Sequence, residues 1–409
     1  MNSLYDVVII GGGLVGASLA AALRHSPLKV ALLEAGHWSP PDAILPSSYD
    51  ERVLALNYAS QRILHSLGVW EKVNQLATPI KHIQVSDQGH FGKARLHCEE
   101  IQLPALGYVL AARQLGQALQ QTLQQGKVEI QSKITVTDFK QHPDFIELQC
   151  LQQGTPRLVN SRVVIIADGS DSQLREKLGL LTTLQDYGQT AIIANVSLEK
   201  SHQNTAFERF TAKGPFALLP LANKDCSLVW TVPPDSVQAK LELSEREFLA
   251  ALQREFGWKL GAFTHVGARH AYPLRLVRTL QSISVRSVVI GNAAHTLHPI
   301  AGQGFNLGLR DVASLSEILL TAHQAGQDLG SAAVLNSYAA IQQPDQARVA
   351  GVTDSLVQVF SNNLPGLRHL RGLGLLALDH CAPLKHHFMR QMTGLHAYPS
   401  RLLCGVVEK

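Results

Sequence analysis

Gly11, Gly13 and Gly16 stand between the β-branched run Asp6-Val7-Val8-Ile9-Ile10 and the helix-forming run Ala17-Ser18-Leu19-Ala20-Ala21-Ala22-Leu23. In a strand–turn–helix unit that spacing has a physical use. Gly11 permits the tight turn, Gly13 lets the backbone approach a pyrophosphate, and Gly16 lets the helix pack close to the strand. Alone the motif is weak. A second run, Lys29-Val30-Ala31-Leu32-Leu33, ends in Glu34, where a carboxylate can accept hydrogen bonds from ribose hydroxyls. Together they predict a dinucleotide site without saying which dinucleotide. The alternative is a nucleotide-free βαβ unit whose glycines serve packing.

A second stretch able to meet a ligand runs from Val288 to Asp311. Its residues read as a buried strand, a polar turn at Gly291-Asn292, a loop holding Pro299, and a helix beginning near Gly304. Gly302 and Gly304 leave backbone N–H groups approachable where the helix dipole favours negative charge. A third, Val163-Val164-Ile165-Ile166-Ala167, reads as a buried parallel strand ending in Asp168-Gly169, with Arg175 on the helix that follows. Asp168 is placed to meet a ligand at the strand's C-terminal edge, and Asp171 or Ser172 suits an N-cap. Arg52 lies in a polar loop ahead of a helical stretch, where it reaches a phosphate or is a solvated charge. Arg113 sits at the start of a helix drawn from Leu110 onward.

The elements that position these groups alternate in type. Between the glycine turn and the Asp168 strand lie short alternating segments, His82–Ser86 and Ala94–His97, typical of half-exposed antiparallel strands. From Thr190 to about Val232 strand signals follow one another, then a helix from Ser244 to about Phe256 with the Ser244/Glu247 spacing of a capping box. The tail is mainly helical. Its segment from Leu364 to Leu378 mixes leucines with cations, which suits packing on the core or an interfacial surface near a membrane.

Bulk properties narrow the class. At 409 residues, two domains are expected. The formal charge of +4 is spread along the chain, which argues against nucleic acid as a partner. Cys98, Cys150, Cys226, Cys381 and Cys404 form no C-x-x-C pair, so neither a metal site nor a disulfide framework is implied, and a reducing cytoplasm fits. The glycine-interrupted N-terminus, with Asp6 and no basic residue ahead of it, is not a signal peptide. No purely apolar run is long enough to span a membrane, so any membrane contact is peripheral.

Gly11-x-Gly13-x-x-Gly16 with Glu34, Asp168-Gly169 with Arg175, and Gly291-Asn292 through Asp311 resemble, in order, the three fingerprints of the group A flavin-dependent aromatic hydroxylases. His298-Pro299-Ile300-Ala301-Gly302-Gln303-Gly304-Phe305-Asn306-Leu307-Gly308 resembles the signature of the ubiquinone-biosynthesis branch. Ala206-Phe207-Glu208-Arg209-Phe210-Thr211, Cys226-Ser227-Leu228-Val229-Trp230 and Gly351–Val357 narrow the likeness to members acting on a polyprenylated methoxyphenol.

The resemblance implies an α/β fold, α+β overall and p-hydroxybenzoate-hydroxylase-like. A discontinuous Rossmann-like FAD-binding domain (1–75, 107–180 and 275–345) is interleaved with a substrate-binding β-sheet domain (76–106 and 181–274), and 346–409 is a helical C-terminal region. It implies FAD held by Gly11, Gly13, Gly16 and Glu34. Arg52 and Arg113 are at FAD-contacting positions, Asp168 serves FAD and reduced nicotinamide, and Gly291, Asn292, Pro299, Gly302, Gln303, Gly304, Phe305 and Asn306 lie around the ribityl chain and flavin ring.

NAD(P)H and O2 are the implied co-substrates, the oxygen passing to a phenol from a C4a-hydroperoxyflavin. No catalytic base is identified. His298 and Pro299 are the flavin-proximal candidates, while His295 and His298 are each more readily hydrogen-bonded loop residues. Asn292 departs from the Asp common in the group. A neutral hydrogen bond contributes about 0.5–1.5 kcal/mol against about 1.5–3 for a charged one, so flavin binding is expected to be only modestly weaker if Asn292 still bonds the ribityl hydroxyl. A polyprenyl substrate implies a long apolar channel and uptake from the inner membrane or from a lipid-presenting partner. Membership of a ubiquinone-biosynthesis complex and oligomerisation are further expectations.

Overall fold

A computed structural model describes residues 4–38, 52–211, 214–296, 303–361 and 365–405, with side chains of 356–370 not described. His298, Pro299 and Gly302 lie outside the described residues. Among the described residues the elements form three sheets with helices packed between and beside them.

The first sheet has eight strands. Its central path runs Ile283–Ser284, Ser287–Val289, Thr155–Ile166, Leu4–Ile10, Val30–Glu34, Glu129–Ser132, and a hairpin of Ile134–Gln141 and Ile146–Gln152 pairs along the first part of Thr155–Ile166. Four neighbouring pairs are parallel, which buries both faces. The side-chain period of two divides the central strand. Val7 and Ile9 enter the core beneath the helices Leu14–Leu23 and Gln303–Gln324, whereas Val8 and Ile10 enter the core formed with the hairpin.

The second sheet has nine strands in the order His295–Thr296, His270–Thr279, Thr182–Leu198, Asp225–Val232, Gly214–Pro220, Thr205–Thr211, His82–Asp87, Lys93–His97, with Phe263–Val266 beside Thr182–Leu198. Its pairs are antiparallel except Thr205–Thr211 against His82–Asp87. One face buries Phe207, Phe216 and Trp230 against Phe248 and Phe256 of the helix Glu245–Phe256. That helix starts with the expected capping box between Ser244 and Glu247. Strand His270–Thr279 runs across residue 275, where the sequence reading placed a domain division.

The third sheet joins Val53–Asn57, Gly107–Ala111 and Thr78–Ile80. Here the structure corrects the sequence reading. Leu110 and Ala111 do not begin a helix; they close a strand paired with Leu54 and Val53, and the helix runs Ala112–Leu123. Long-range pairing overrides the helical spacing of leucines and alanines.

Helices Pro365–His380 and Ala382–Met392 pack on the hairpin of the second sheet. A Cβ on Gly372 would lie 2.8 Å from the Phe91 carbonyl oxygen, and one on Gly92 2.5 Å from that of Gly372, so backbone meets backbone. Asp379 accepts bonds from the Arg95 backbone N–H at 2.7 Å and its guanidinium at 3.1 Å. Among the described residues no helix is long and apolar enough to cross a membrane.

Candidate active site

Parallel register sets the site. Ile10 pairs with both Ile166 and Leu33, and Ile166 with Val289, so the residues that follow these strands share one edge. That edge therefore carries Gly11, Glu34, Asp168 and Gly291, brought from four separate stretches. An open parallel sheet binds its ligand at this carboxyl edge.

The glycine turn fits a pyrophosphate. Gly11 has φ +103°, and a Cβ there would lie 2.5 Å from the Ala167 carbonyl oxygen. A Cβ on Gly16 would lie 2.0 Å from the Gly11 oxygen. A Cβ on Gly13 would meet nothing within 4 Å, and Gly13 is the N-cap of Leu14–Leu23 with no side-chain cap bond. The first N–H groups of that helix are left for an anion. Glu34 is held in place, Oε2 accepting from Gly12 N at 2.6 Å and Oε1 from Gly36 N at 2.7 Å. Each oxygen keeps a lone pair with which to accept from a ribose hydroxyl.

The Asp168 and Gly291 loops are clamped together by Arg175. Its guanidinium, buried, donates to the Ala293 carbonyl at 2.9 Å and the Ser170 carbonyl at 3.2 Å. Ser172 caps the helix Gln173–Lys177, accepting from Arg175 N at 3.1 Å. Asp168 is exposed as a residue, yet desolvation of its carboxyl raises its pKa against the opposing pull of Ser172 and Arg175. Asn292 is exposed at the same edge.

Val15 locks the first and third fingerprints. Its methyls lie 3.0 Å from a Cβ built on Gly291, which has φ +60°, and 2.8 Å from one on Gly308. Below them Asp311, fully buried, accepts from Gly291 N at 3.0 Å and Gln346 Nε2 at 3.0 Å and pairs with His295 Nε2 at 2.7 Å. His295 is thus buried and hydrogen-bonded, and it lies in the short strand His295–Thr296 paired with Arg278 instead of in a loop.

The helix Gln303–Gln324 begins one residue ahead of the expected Gly304. Gln303 lines a cavity, Gly304 is open around its Cα, and Phe305 packs on the first core. Asn306, in the first turns of the same helix, points its side chain at the strand Val53–Asn57. It is buried, accepting from Asn57 N at 2.9 Å and donating to the Ala55 carbonyl at 2.8 Å. Arg52 is exposed just before Val53–Asn57, and Arg113 is in the first turn of Ala112–Leu123. The bond from Ala112 N to the Arg52 carbonyl, 2.9 Å, makes the two arginines neighbours.

Beyond the edge lies a cavity of about 380 Å³, open to solvent, whose lining is overwhelmingly apolar. Ala55, Leu56, Asn57 and Gln303 form its wall toward the fingerprints, the second sheet contributes Ile83, Val85, Ala206 and Leu219, and the C-terminal helices close it with Leu375, Phe388 and Met392. The sequence reading gave no role to Glu208 and Arg371, which also line it. For Glu208 the alternation along Thr205–Thr211 was the available signal.

Residues 4–351 match the FAD binding domain family. Relatives match nearly end to end. The ubiquinone hydroxylase UbiL of Rhodospirillum rubrum is 38% identical over 99% of this chain and 94% of its own. The 3-demethoxyubiquinol 3-hydroxylase of Escherichia coli is 32% identical over 96% and 100%, and the mitochondrial ubiquinone biosynthesis monooxygenase COQ6 of Xenopus tropicalis 30% over 95% and 93%. The crystal structure of p-nitrophenol 4-monooxygenase PnpA from Pseudomonas putida shares the fold with a TM-score of 0.78, at 18% identity over 97% of this chain and 99% of that one. The site just described fits the dinucleotide of that family, and the chain belongs to the FAD binding domain family as a FAD-dependent monooxygenase.

Proposed function

We propose that the protein hydroxylates the ring of a polyprenylated phenol in ubiquinone biosynthesis, converting 2-polyprenyl-6-methoxyphenol to the benzoquinol with NAD(P)H and O2. The observation that carries this reading is the apolar cavity abutting the flavin fingerprints at Ala55–Asn57 and Gln303. Small-molecule pockets hold about 300–1,000 Å³, so this one accepts a substituted ring and the first part of a chain. Its apolar lining suits a reaction that must exclude water around the ring.

FAD, when bound, supplies the oxygen-activating chemistry. The chain's own residues hold it: Gly13 and the uncapped helix start at its pyrophosphate, Glu34 at its ribose, and the Gly291-Asn292 loop and the Gln303 helix start toward its ring. Arg52 and Arg113 suit its phosphates or ring edge. A prenyl tail favours membrane by about 0.8 kcal/mol per buried CH2, so the substrate comes from the inner membrane by peripheral contact or from a lipid-presenting partner within a biosynthetic complex.

The test uses purified FAD-loaded protein with NADH or NADPH, 18O2 and a methoxyphenol bearing a short prenyl chain. One 18O atom in the product is expected. Nicotinamide oxidation with no labelled product would overturn the reading in favour of a flavin reductase that does not activate O2.

A further inference from the structure

Glu208 is the acidic residue of the cavity lining among the described residues. Along Thr205–Thr211 the side-chain period of two puts Ala206, Glu208 and Phe210 on the cavity face, while Phe207, which also borders the cavity, packs its ring into the aromatic core against Phe256. Its pairing partners on either side are Val85 and Ala217. Around the same space stand Ile83, Leu96, Leu375 and Phe388. No hydrogen bond or ion pair to Glu208 forms among the described residues. The residue as a whole is half-buried because the cavity is open, but its carboxyl is surrounded by protein, and that desolvation pushes it up to about 8.

A partnerless carboxyl in an apolar cavity is costly unless a ligand satisfies it. The other charged group lining the cavity is Arg371, from the C-terminal helix, which lies 3.8 Å from Asp87. The remaining polar lining, Asn57, Gln303 and Thr393, carries no charge.

We propose that Glu208 binds the phenol hydroxyl of the substrate and takes its proton as oxygen is transferred to the ring. The inference rests on the proposed hydroxylase function. The phenol O–H bond breaks, its electron pair stays on the phenol oxygen, and a new O–H bond forms on the Glu208 carboxylate. The ring carbon, now more nucleophilic, accepts one oxygen atom of O2, whose other atom leaves as water with the two electrons of NAD(P)H. Loss of that carbon's hydrogen as a proton to water restores the aromatic ring, and Glu208 returns its proton to the phenol oxygen. Such a base contributes about 10²–10⁴-fold and works best with a pKa near the operating pH.

The experiment measures FAD content, binding of a short-chain prenylated methoxyphenol by flavin absorbance, and kcat/KM for labelled product from pH 6 to 9, in wild type, Glu208→Gln and Glu208→Asp. In wild type, kcat/KM is expected to rise about tenfold per pH unit up to about 8 and then level. Glu208→Gln should keep its FAD, lose about 100-fold or more in product formation and lose the pH limb. Glu208→Asp should keep the limb at a lower rate. Product formation by Glu208→Gln within about threefold of wild type, with the limb intact, would overturn the proposal while leaving the hydroxylase reading standing. Absence of labelled product from wild type would instead remove the hydroxylase reading, and this inference with it.

Discussion

Asp311→Ala is the substitution whose consequences follow most directly from the geometry. Asp311 is fully buried, and its two oxygens serve Gly291 N at 3.0 Å, His295 Nε2 at 2.7 Å and Gln346 Nε2 at 3.0 Å. These partners come from the strand-to-loop turn, from the short strand His295–Thr296 and from the helix Ala332–Ser361. Removing the carboxylate leaves all three without their shared acceptor in a place water does not reach. One such orphaned group costs about 1–3 kcal/mol, and more where the lost partner carried a charge. The three share one centre, so their losses do not add, and about 4 kcal/mol is expected in total.

The damage falls on the cofactor edge because Gly291 precedes Asn292 and the Arg175 clamp on Ala293. Asp311→Asn keeps the shape and one acceptor oxygen and should cost about 1–2 kcal/mol. Both variants are assayed by FAD-to-protein ratio after desalting and by urea unfolding followed through tryptophan fluorescence. Asp311→Ala is expected to lose most of its FAD and to unfold first around the fingerprint core, with Asp311→Asn between it and wild type. An Asp311→Ala protein with wild-type FAD content and wild-type unfolding midpoint would refute the tethering role.

Four further outcomes are expected. Gly16→Ala puts a methyl 2.0 Å from the Gly11 oxygen, where only backbone can give way, and should cost more than the about 1–3 kcal/mol typical of overpacking, read as FAD-free protein on purification. Glu208 has its folded pKa raised from 4.5 to about 8, so the folded state binds more protons than the unfolded one between those values. Stability should fall as pH rises through that window, and the advantage of Glu208→Gln over wild type in urea midpoint should be larger at pH 9 than at pH 4. Cys98, Cys150 and Cys226 are buried with thiols pushed up mainly by desolvation, so native-state alkylation mapped by mass spectrometry should mark the exposed Cys381 and Cys404 instead. Gly372→Ala should push the C-terminal helix off the Phe91 carbonyl and raise KM for a prenylated phenol while leaving FAD content unchanged.

What could be read from the sequence was local. Gly11, Gly13, Gly16 and Glu34 act within one βαβ unit, and the Ser244/Glu247 and Ser172 caps act within one turn, so spacing sufficed. The strand Val53–Asn57 is not legible in its own residues because its partner lies about fifty residues away in Gly107–Ala111, and that same pairing makes strand of Leu110 and Ala111, whose local spacing is helical. Strand alternation around Glu208 was visible. That its face looks into a cavity depends on Leu375 and Phe388, which arrive from the far end of the chain.

Asn306 shows why the fingerprint and the cavity cannot be separate devices. As a sequence position it belongs to the cofactor loop, yet its amide is spent on Asn57 N and the Ala55 carbonyl. Ala55, Leu56 and Asn57 are themselves wall residues of the cavity, as is Gln303, three positions before Asn306 on the same helix. The start of that helix therefore takes its position from the strand that bounds the substrate space. Two hydrogen bonds, of 2.9 and 2.8 Å, tie the helix directly to Ala55–Asn57. The fingerprint helix and the wall of the apolar cavity are thereby held together through one buried side chain.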